Sequence, residues 1–353
     1  MQFLFDIINK PLGFVMEFIA GLTGGSFAAA VFIFTLLINV ALIPLSIKSQ
    51  KSSVQQTRIK PKLDELKKQC GDDKQKYSQE MQKLYQEENV SMSGGCLPMI
   101  LRLVLMLSIY YLIMSPLTYM TGIDKDKINN VSTTISEAMS DIKKENKTEY
   151  DKLVKKINWR EGGNFNELAI VSIVRSDEDV LSDILSEKEY KKIKEDLEYI
   201  AKKDKEVDIN YSFITKNINL TQTPKFSFDI FHEAQWIWLM PIMAFAAQML
   251  SSLVSIKLQK KINPDAPSMS GMMLTMPLIS LWIGFSLPGG VAFYWACSSI
   301  VGGLIQTGVQ NFYGPNKMLA RERAKDIMKQ YKFEEGQLSK LGNAAQADSQ
   351  SEN

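Results

Sequence analysis

Five stretches of about twenty residues in this chain are free or nearly free of charge, and segments dense in Lys, Glu and Asp separate them. They are Phe27–Ile47, Leu97–Met120, Trp236–Ile256, Met269–Leu287 and Val291–Val309. Each is long enough to cross a hydrocarbon core of about 30 Å. A soluble fold of this size spreads its apolar residues at periods of 2 or 3.6. Here they come in blocks, so a mean hydropathy of −0.09 conceals two populations of segment. The pattern predicts an all-α polytopic membrane protein with five transmembrane helices.

Basic residues in the short polar segments orient the spans. Residues 48–92 carry ten Lys/Arg, 257–267 carry three and the tail after Tyr313 carries seven, whereas the first 26 residues carry only Lys10. The N-terminus is therefore expected outside and the C-terminus in the cytoplasm. The predicted order is an interfacial helix (1–25), a first span (26–47), a charged cytoplasmic helical hairpin (48–93) and a second span (94–121). An extracytoplasmic insert (122–235) and a third span (236–256) follow. A cytoplasmic loop (257–268), two spans joined at Pro288–Gly290 (269–287 and 288–312) and a basic cytoplasmic tail (313–353) complete the chain.

The opening residues lack a basic start, and Asp6, Lys10 and Pro11 interrupt their apolar run. They fit an amphipathic helix lying in the membrane interface, with a noncleaved targeting segment as the other reading. In the hairpin, Ile59, Leu63 and Leu66 on one arm and Tyr77, Met81 and Leu84 on the other recur at helical spacing. "GDD" at 71–73 separates the arms, and Pro61 predicts a kink. The insert holds nineteen Lys/Arg against twenty-three Asp/Glu. "SEAMSDIKKENKTEYDKLVKKI" and "SEKEYKKIKEDLEYIAKK" read as helices, the latter with Tyr190, Ile193, Leu197 and Ile200 on one face. "NELAIVSIV" and "VDINYSFI" read as strands, giving a small α/β domain. The basic tail helix has three readings: lying on anionic lipid, binding ribosomal RNA, or anchoring topology.

Composition removes several chemistries. A single histidine, His232, leaves no His-based metal or nucleophilic site, and Cys70, Cys96 and Cys297 have no metal or disulfide spacing. No metal or small-molecule cofactor is implied, and DNA is not an expected partner.

The polar residues within spans carry the functional signal. Thr35 and Asn39 lie in the first span, Arg102 in the second, Gln248 in the third, and Ser298, Ser299 and Gln306 in the last. A charge in the bilayer core costs roughly 2.5–3.5 kcal/mol on an insertion scale. No span contains an Asp or Glu to pair with Arg102. Either its side chain snorkels to the headgroups, or it is kept wet in a cavity that attracts acidic ligands from the cytoplasmic side.

A first span ending "PLSIKSQKS", "GGCLP" opening the second, "WIWLMPI" opening the third and "LPGGVAFYW" joining the last two form a specific order. In that order the chain resembles the YidC/Oxa/Alb family of membrane protein insertases, in its compact five-span bacterial form, over nearly all but about 125–215. The resemblance implies a groove open to cytoplasm and lipid and closed to the outside, in the bacterial plasma membrane. Such a groove receives the hydrophilic ends of nascent membrane proteins and releases apolar segments to lipid. The ribosome, the secretion channel and membrane lipids are the other implied partners.

The family's groove arginine lies five residues before the proline of its "LPL" motif, where this chain has Asn39. Its usual second-span glutamine falls at Arg102. The positive charge is thus expected to have moved from one groove wall to the next. Thr35, Asn39, Arg102, Gln248, Trp295, Ser298 and Gln306 are the expected groove residues; Trp295 equally fits a packed aromatic, and Gln248 a bond to a neighbouring helix. A transporter or channel with a cationic pocket is the alternative, and it predicts ionisable pairs in spans or inverted repeats, neither of which the sequence contains. An intramembrane protease lacks its paired aspartates or Ser-His arrangement. A scaffold without insertion activity would show an unhydrated pocket.

Overall fold

The computed structural model describes residues 2–88, 90, 97–160, 166–176, 180–213, 215–224, 226–227, 235–262, 270–314, 317, 320–321, 324–325 and 327–336. They are overwhelmingly helical and fall into two compact units. The first comprises Met1–Ala41, Leu101–Leu258 and Asp265–Ile305; the second comprises Leu42–Ile100, Gln259–Pro264 and Gln306–Asn353.

In the first unit, α1 (Gln2–Leu22) buries Met16, Ile19 and Ala20 and leaves Phe14, Phe18 and Leu22 at 69%, 61% and 72% exposure. Aromatic and aliphatic side chains spaced four apart on the open face are what an interfacial helix offers to lipid. Helix α1 packs on α2 (Phe27–Ala41) and on the short α6 (Pro116–Tyr119). The α6 contact needs Gly13, because a Cβ there would lie 2.0 Å from the Tyr119 carbonyl oxygen. Helix α5 (Leu97–Met114) stops before the expected Met120. Ser115 leaves helical geometry at φ −128° and ψ 61°, the bias that a following proline imposes.

The insert contains α7 (Lys125–Glu145), α8 (Lys147–Ile157), α9 (Glu167–Val174), α10 (Val180–Ile184) and α11 (Glu187–Val207). One expected helix is therefore two, because Asn146 ends α7 in an extended conformation and caps α8 by accepting from the Glu149 amide. The strand expected at "NELAIVSIV" is instead α9. A short apolar run does not distinguish a buried strand from a buried helix by period. Here Leu168, Ala169, Ile170, Val171 and Ile173 are all buried, so the helix is enclosed on nearly every side.

The second expected strand survives in shortened form: Ser212–Phe213 (β1) pairs antiparallel with Thr215–Asn219 (β2). Ile193, Leu197 and Ile200 of α11 are buried as their spacing predicts, while Tyr190 at the same face's edge is 37% exposed. Ser186 and Glu189 close a capping box at the start of α11. Ser186→Ala should cost about 1 kcal/mol, read as roughly fivefold faster amide exchange over residues 187–192.

Beyond the insert, a 3₁₀ turn (Trp236–Trp238) leads into α12 (Leu239–Ile262), followed by α13 (Ser270–Gly284) and α14 (Gly289–Tyr313). Among the described residues, Trp236–Leu258 is the one unbroken helix long and apolar enough to cross a bilayer. Phe27–Ala41 with Ile43–Ser52 reaches that length as a pair broken at Leu42, and Val104–Met114 and Leu274–Gly284 are shorter apolar helices. Buried side chains of α1, α2, α5, the insert, α12 and α14 form one continuous hydrophobic core.

In the second unit, α3 (Ile43–Cys70) and α4 (Lys74–Glu87) form the expected helical hairpin. Helix α3 runs through Pro61 without interruption. Gly71, at φ 57°, ends α3, and Asp73 caps α4 by accepting from the Gln75 and Lys76 amides. Leu63, Leu66, Tyr77, Met81 and Leu84 are each half-buried, and Lys62 pairs with Glu88. Residues 327–336 of the tail are helical.

Candidate functional site

Helix α2 carries a polar pair in an apolar setting. Thr35 is fully buried, and its hydroxyl donates to the Val31 carbonyl at 2.6 Å. Asn39, 8% exposed, donates from Nδ2 to the Thr35 carbonyl at 2.9 Å. Bonding back four residues satisfies one group on each side chain within the helix, which lets an apolar helix carry them. The Asn39 amide oxygen and its second N–H remain available for other partners. On the adjoining face of α2, Phe32, Leu36, Leu37 and Val40 are exposed, a face suited to lipid.

The other expected groove residues lie on other helices. Gln248 on α12 pairs with the Ser280 hydroxyl of α13, which also donates to the Pro277 carbonyl at 2.8 Å. The amide thus joins two helices, as one of its two readings held. Among the described residues no hydrogen bond links Gln248 to Thr35 or Asn39. Trp295 is half-buried and packs on the core, and Ser298 is half-buried on the same helix. Gln306, also half-buried, belongs to the second unit. The backbone of Arg102 lies in α5, and its side chain is outside the described residues.

Sequence reasoning missed Ser280 and Ser108. Ser108, six residues beyond Arg102 on α5, is fully buried, and its hydroxyl has no partner among the described residues. An unbonded buried hydroxyl costs about 1–3 kcal/mol, so it marks a polar point inside an apolar helix.

The insert ties down the N-terminal ends of two helices. Asn210 accepts from the Phe27 amide at 3.0 Å and donates to the Gly25 carbonyl at 2.8 Å, fixing the start of α2. Gly25 sits at φ +79°, and a Cβ there would be 2.4 Å from the Asp208 carbonyl oxygen, so only glycine fits. At the start of α14, the Gly289 and Gly290 amides donate to the Gln222 and Leu220 carbonyls at 2.8 and 2.7 Å. These bonds satisfy amides that a helix start leaves without intrahelical partners. Phe27 against Tyr211 and Phe213 against Phe293, each at 5.0 Å between ring centroids, fill the space beside them.

A second anchor joins the insert to α6, the short helix that follows α5. The Glu167 carboxylate is buried and accepts from the Thr118 amide at 2.9 Å and the Thr118 hydroxyl at 2.6 Å. Burial raises its pKa to about 7, against the opposing effect of these hydrogen bonds. Among the described residues no cluster of His, Cys, Asp and Glu could hold a metal ion.

The chain matches the model of the family described as 60Kd inner membrane protein over residues 18–174 and 209–316. The unmatched interval between them, 175–208, is shorter than the expected 125–215. The chain is 40% identical over 107 residues to the membrane protein insertase YidC of Saccharophagus degradans, and 39% identical over 107 residues to that of Cellvibrio japonicus. To the corresponding protein of Haemophilus influenzae it is 39% identical over 105 residues. Each alignment covers 30% of this chain and 19% of the relative, so the chain spans about a fifth of the length of the curated relatives it matches.

Proposed function

From the premise that this chain belongs to the 60Kd inner membrane protein family, we propose that it is a membrane protein insertase of the bacterial inner membrane. The single observation that carries the mechanism is the buried Thr35–Asn39 pair on a helix whose adjoining face is exposed and apolar. In this reading the polar pair lies in the wall of a groove that takes up water with its substrate, and the adjoining apolar groups face lipid. The hydrophilic end of a nascent membrane protein enters the groove from the cytoplasm, where water and polar side chains replace its bulk hydration. Its apolar segment then partitions into lipid, which needs no covalent step.

In this reading the five spans run with the N-terminus outside, and the insert lies on the outer face. The bonds from Asn210, Leu220 and Gln222 to the starts of α2 and α14 support a groove closed on that side. Arg102 supplies the groove's fixed charge from the second span, and Asn39 is the neutral amide on the first. Arginine stays protonated, so its role is attraction and hydration of acidic segments, not proton transfer. Trp295 and Ser298 complete the groove along the last span. The charged hairpin receives substrate, and the basic tail engages the ribosome or anionic lipid.

Complementation of an insertase-depleted bacterium tests this. Wild type should restore growth. Arg102→Gln at equal protein level should slow insertion about tenfold, the consequence of losing ~1.4 kcal/mol of attraction. Adding Asn39→Arg to Arg102→Gln should restore it. Full growth with Arg102→Gln alone would return the arginine to a snorkelling role, and failure of a correctly inserted wild type would remove the insertase reading.

A further inference from the structure

A cavity of about 330 Å³ opens in the insert between the C-terminal turn of α8, the end of α9 and the β1–β2 hairpin. Lys155, Lys156 and Arg175 line it together with Val171, Tyr211 and asparagine, glutamine, serine and threonine side chains, and among the described residues no Asp or Glu lines it. The surrounding segment 121–235 has an acidic excess, twenty-three Asp/Glu to nineteen Lys/Arg. A carboxylate-free, lysine-bearing cavity in such a segment is a local inversion of charge.

The cavity's arginine is held in place from behind. Arg175 Nε and Nη2 donate to Asp204 at 2.5 and 2.7 Å, and Nη1 donates to the Ile209 carbonyl at 2.5 Å. Its guanidinium also lies 5.1 Å from the centre of the Tyr211 ring. These three bonds use three of the five guanidinium N–H groups, leaving two. Asp204 balances the Arg175 charge, and Asp183 lies 3.6 Å from Lys156. Lys155, exposed at the rim, therefore supplies the net positive charge.

We infer that this cavity binds a phosphoryl group carried on a small hydroxylated body, a phosphate ester of glycerol size. Its volume is at the lower end of the roughly 300–1,000 Å³ typical of ligand pockets. Cationic donors set among neutral hydroxyl and amide groups match the several oxygens of a phosphate. The same hairpin segment carries Asn210 and Gln222, which line the cavity and also hold the starts of α2 and α14. An occupant therefore stiffens those attachments. The phosphate has two chemical sources, a soluble phosphate ester or the headgroup of an anionic lipid.

The test uses the purified full chain in zwitterionic detergent, titrated calorimetrically with glycerol 3-phosphate. Hydrogen exchange over residues 208–222 is then followed in phosphatidylcholine nanodiscs with and without phosphatidylglycerol. Saturable binding of glycerol 3-phosphate is expected, weakened about tenfold by Lys155→Gln with Lys156→Gln. Both lysines are exposed, so this variant should fold. Asn219→Asp gives an independent check, because it keeps the acceptor used by the Thr221 amide and hydroxyl while adding a negative charge; it should abolish binding. Protection of 208–222 by phosphatidylglycerol alone, lost in the lysine variant, assigns the phosphate to lipid. No response to either probe, or a response that survives both sets of substitutions in folded protein, overturns the inference.

Discussion

Arg175→Ala should destabilise the insert by about 3–5 kcal/mol, because it strands a buried carboxylate. Asp204 is only 5% exposed at its side chain and has both oxygens engaged by Arg175. Removing the guanidinium leaves that charge without its two donors, and it also frees the Ile209 carbonyl and uncovers the Tyr211 ring. Amide exchange across 204–211 should therefore accelerate at least about 100-fold, the equivalent of ~3 kcal/mol. The double variant Arg175→Ala with Asp204→Ala separates the causes. It should recover part of the loss, because no unpaired charge remains. If the double variant is as unstable as the single one, packing of the arginine stem and the Ile209 bond carry the stability instead of the ion pair. The consequence reaches the proposed groove, since Asn210 directly follows Ile209, whose carbonyl Arg175 holds, and itself holds the start of α2.

The sequence makes the helical architecture legible wherever one physical signal dominates. Charge-poor blocks mark α2, α5, α12, α13 and α14, and "GDD" marks the turn between α3 and α4, because Gly71 and Asp73 do what those residue types do locally. The insert was harder. Residues 167–174 are buried on nearly all sides, so neither period 2 nor period 3.6 survives in them, and tertiary enclosure decides for helix. Asn146 interrupts an otherwise continuous pattern by a conformation that leaves no trace in periodicity.

At the site, the positions of Thr35 and Asn39 could be read from their residue types within an apolar block. That both bond back into α2 could not, since it depends on side-chain torsions. The Ser280 partner of Gln248 is 32 residues away, and the pairing appears only once α12 and α13 are packed.

Glu167 is the clearest case of a residue hidden from sequence, and it yields the second large effect. Its partner Thr118 is 49 residues distant, so nothing local distinguishes it from the other acids of the insert. Folding raises its pKa from 4.5 to about 7 through burial. The folded state therefore binds a proton more tightly than the unfolded chain between these values. The stabilisation from that proton is fully present below pH 4.5 and is lost as pH rises through about 7. A difference of this size corresponds to about 3 kcal/mol between the two limits.

Geometry accommodates both forms. The Thr118 amide can donate to one oxygen throughout, while the Thr118 hydroxyl can donate to a carboxylate or accept from a carboxylic acid. Tyr211 responds to the Glu167 charge, but burial pushes its phenol upward and keeps it neutral across this range. Glu167→Gln replaces the acid by a neutral isostere with one acceptor for the amide and one donor for the hydroxyl. It should match wild type near pH 4.5, exceed it by up to about 3 kcal/mol above pH 8, and remove this part of the pH dependence. Thermal melts of the two solubilised proteins across pH 4.5–8.5 measure the difference directly. A variant less stable than wild type at every pH would mean that the charged carboxylate, not the acid, is the form that holds α6.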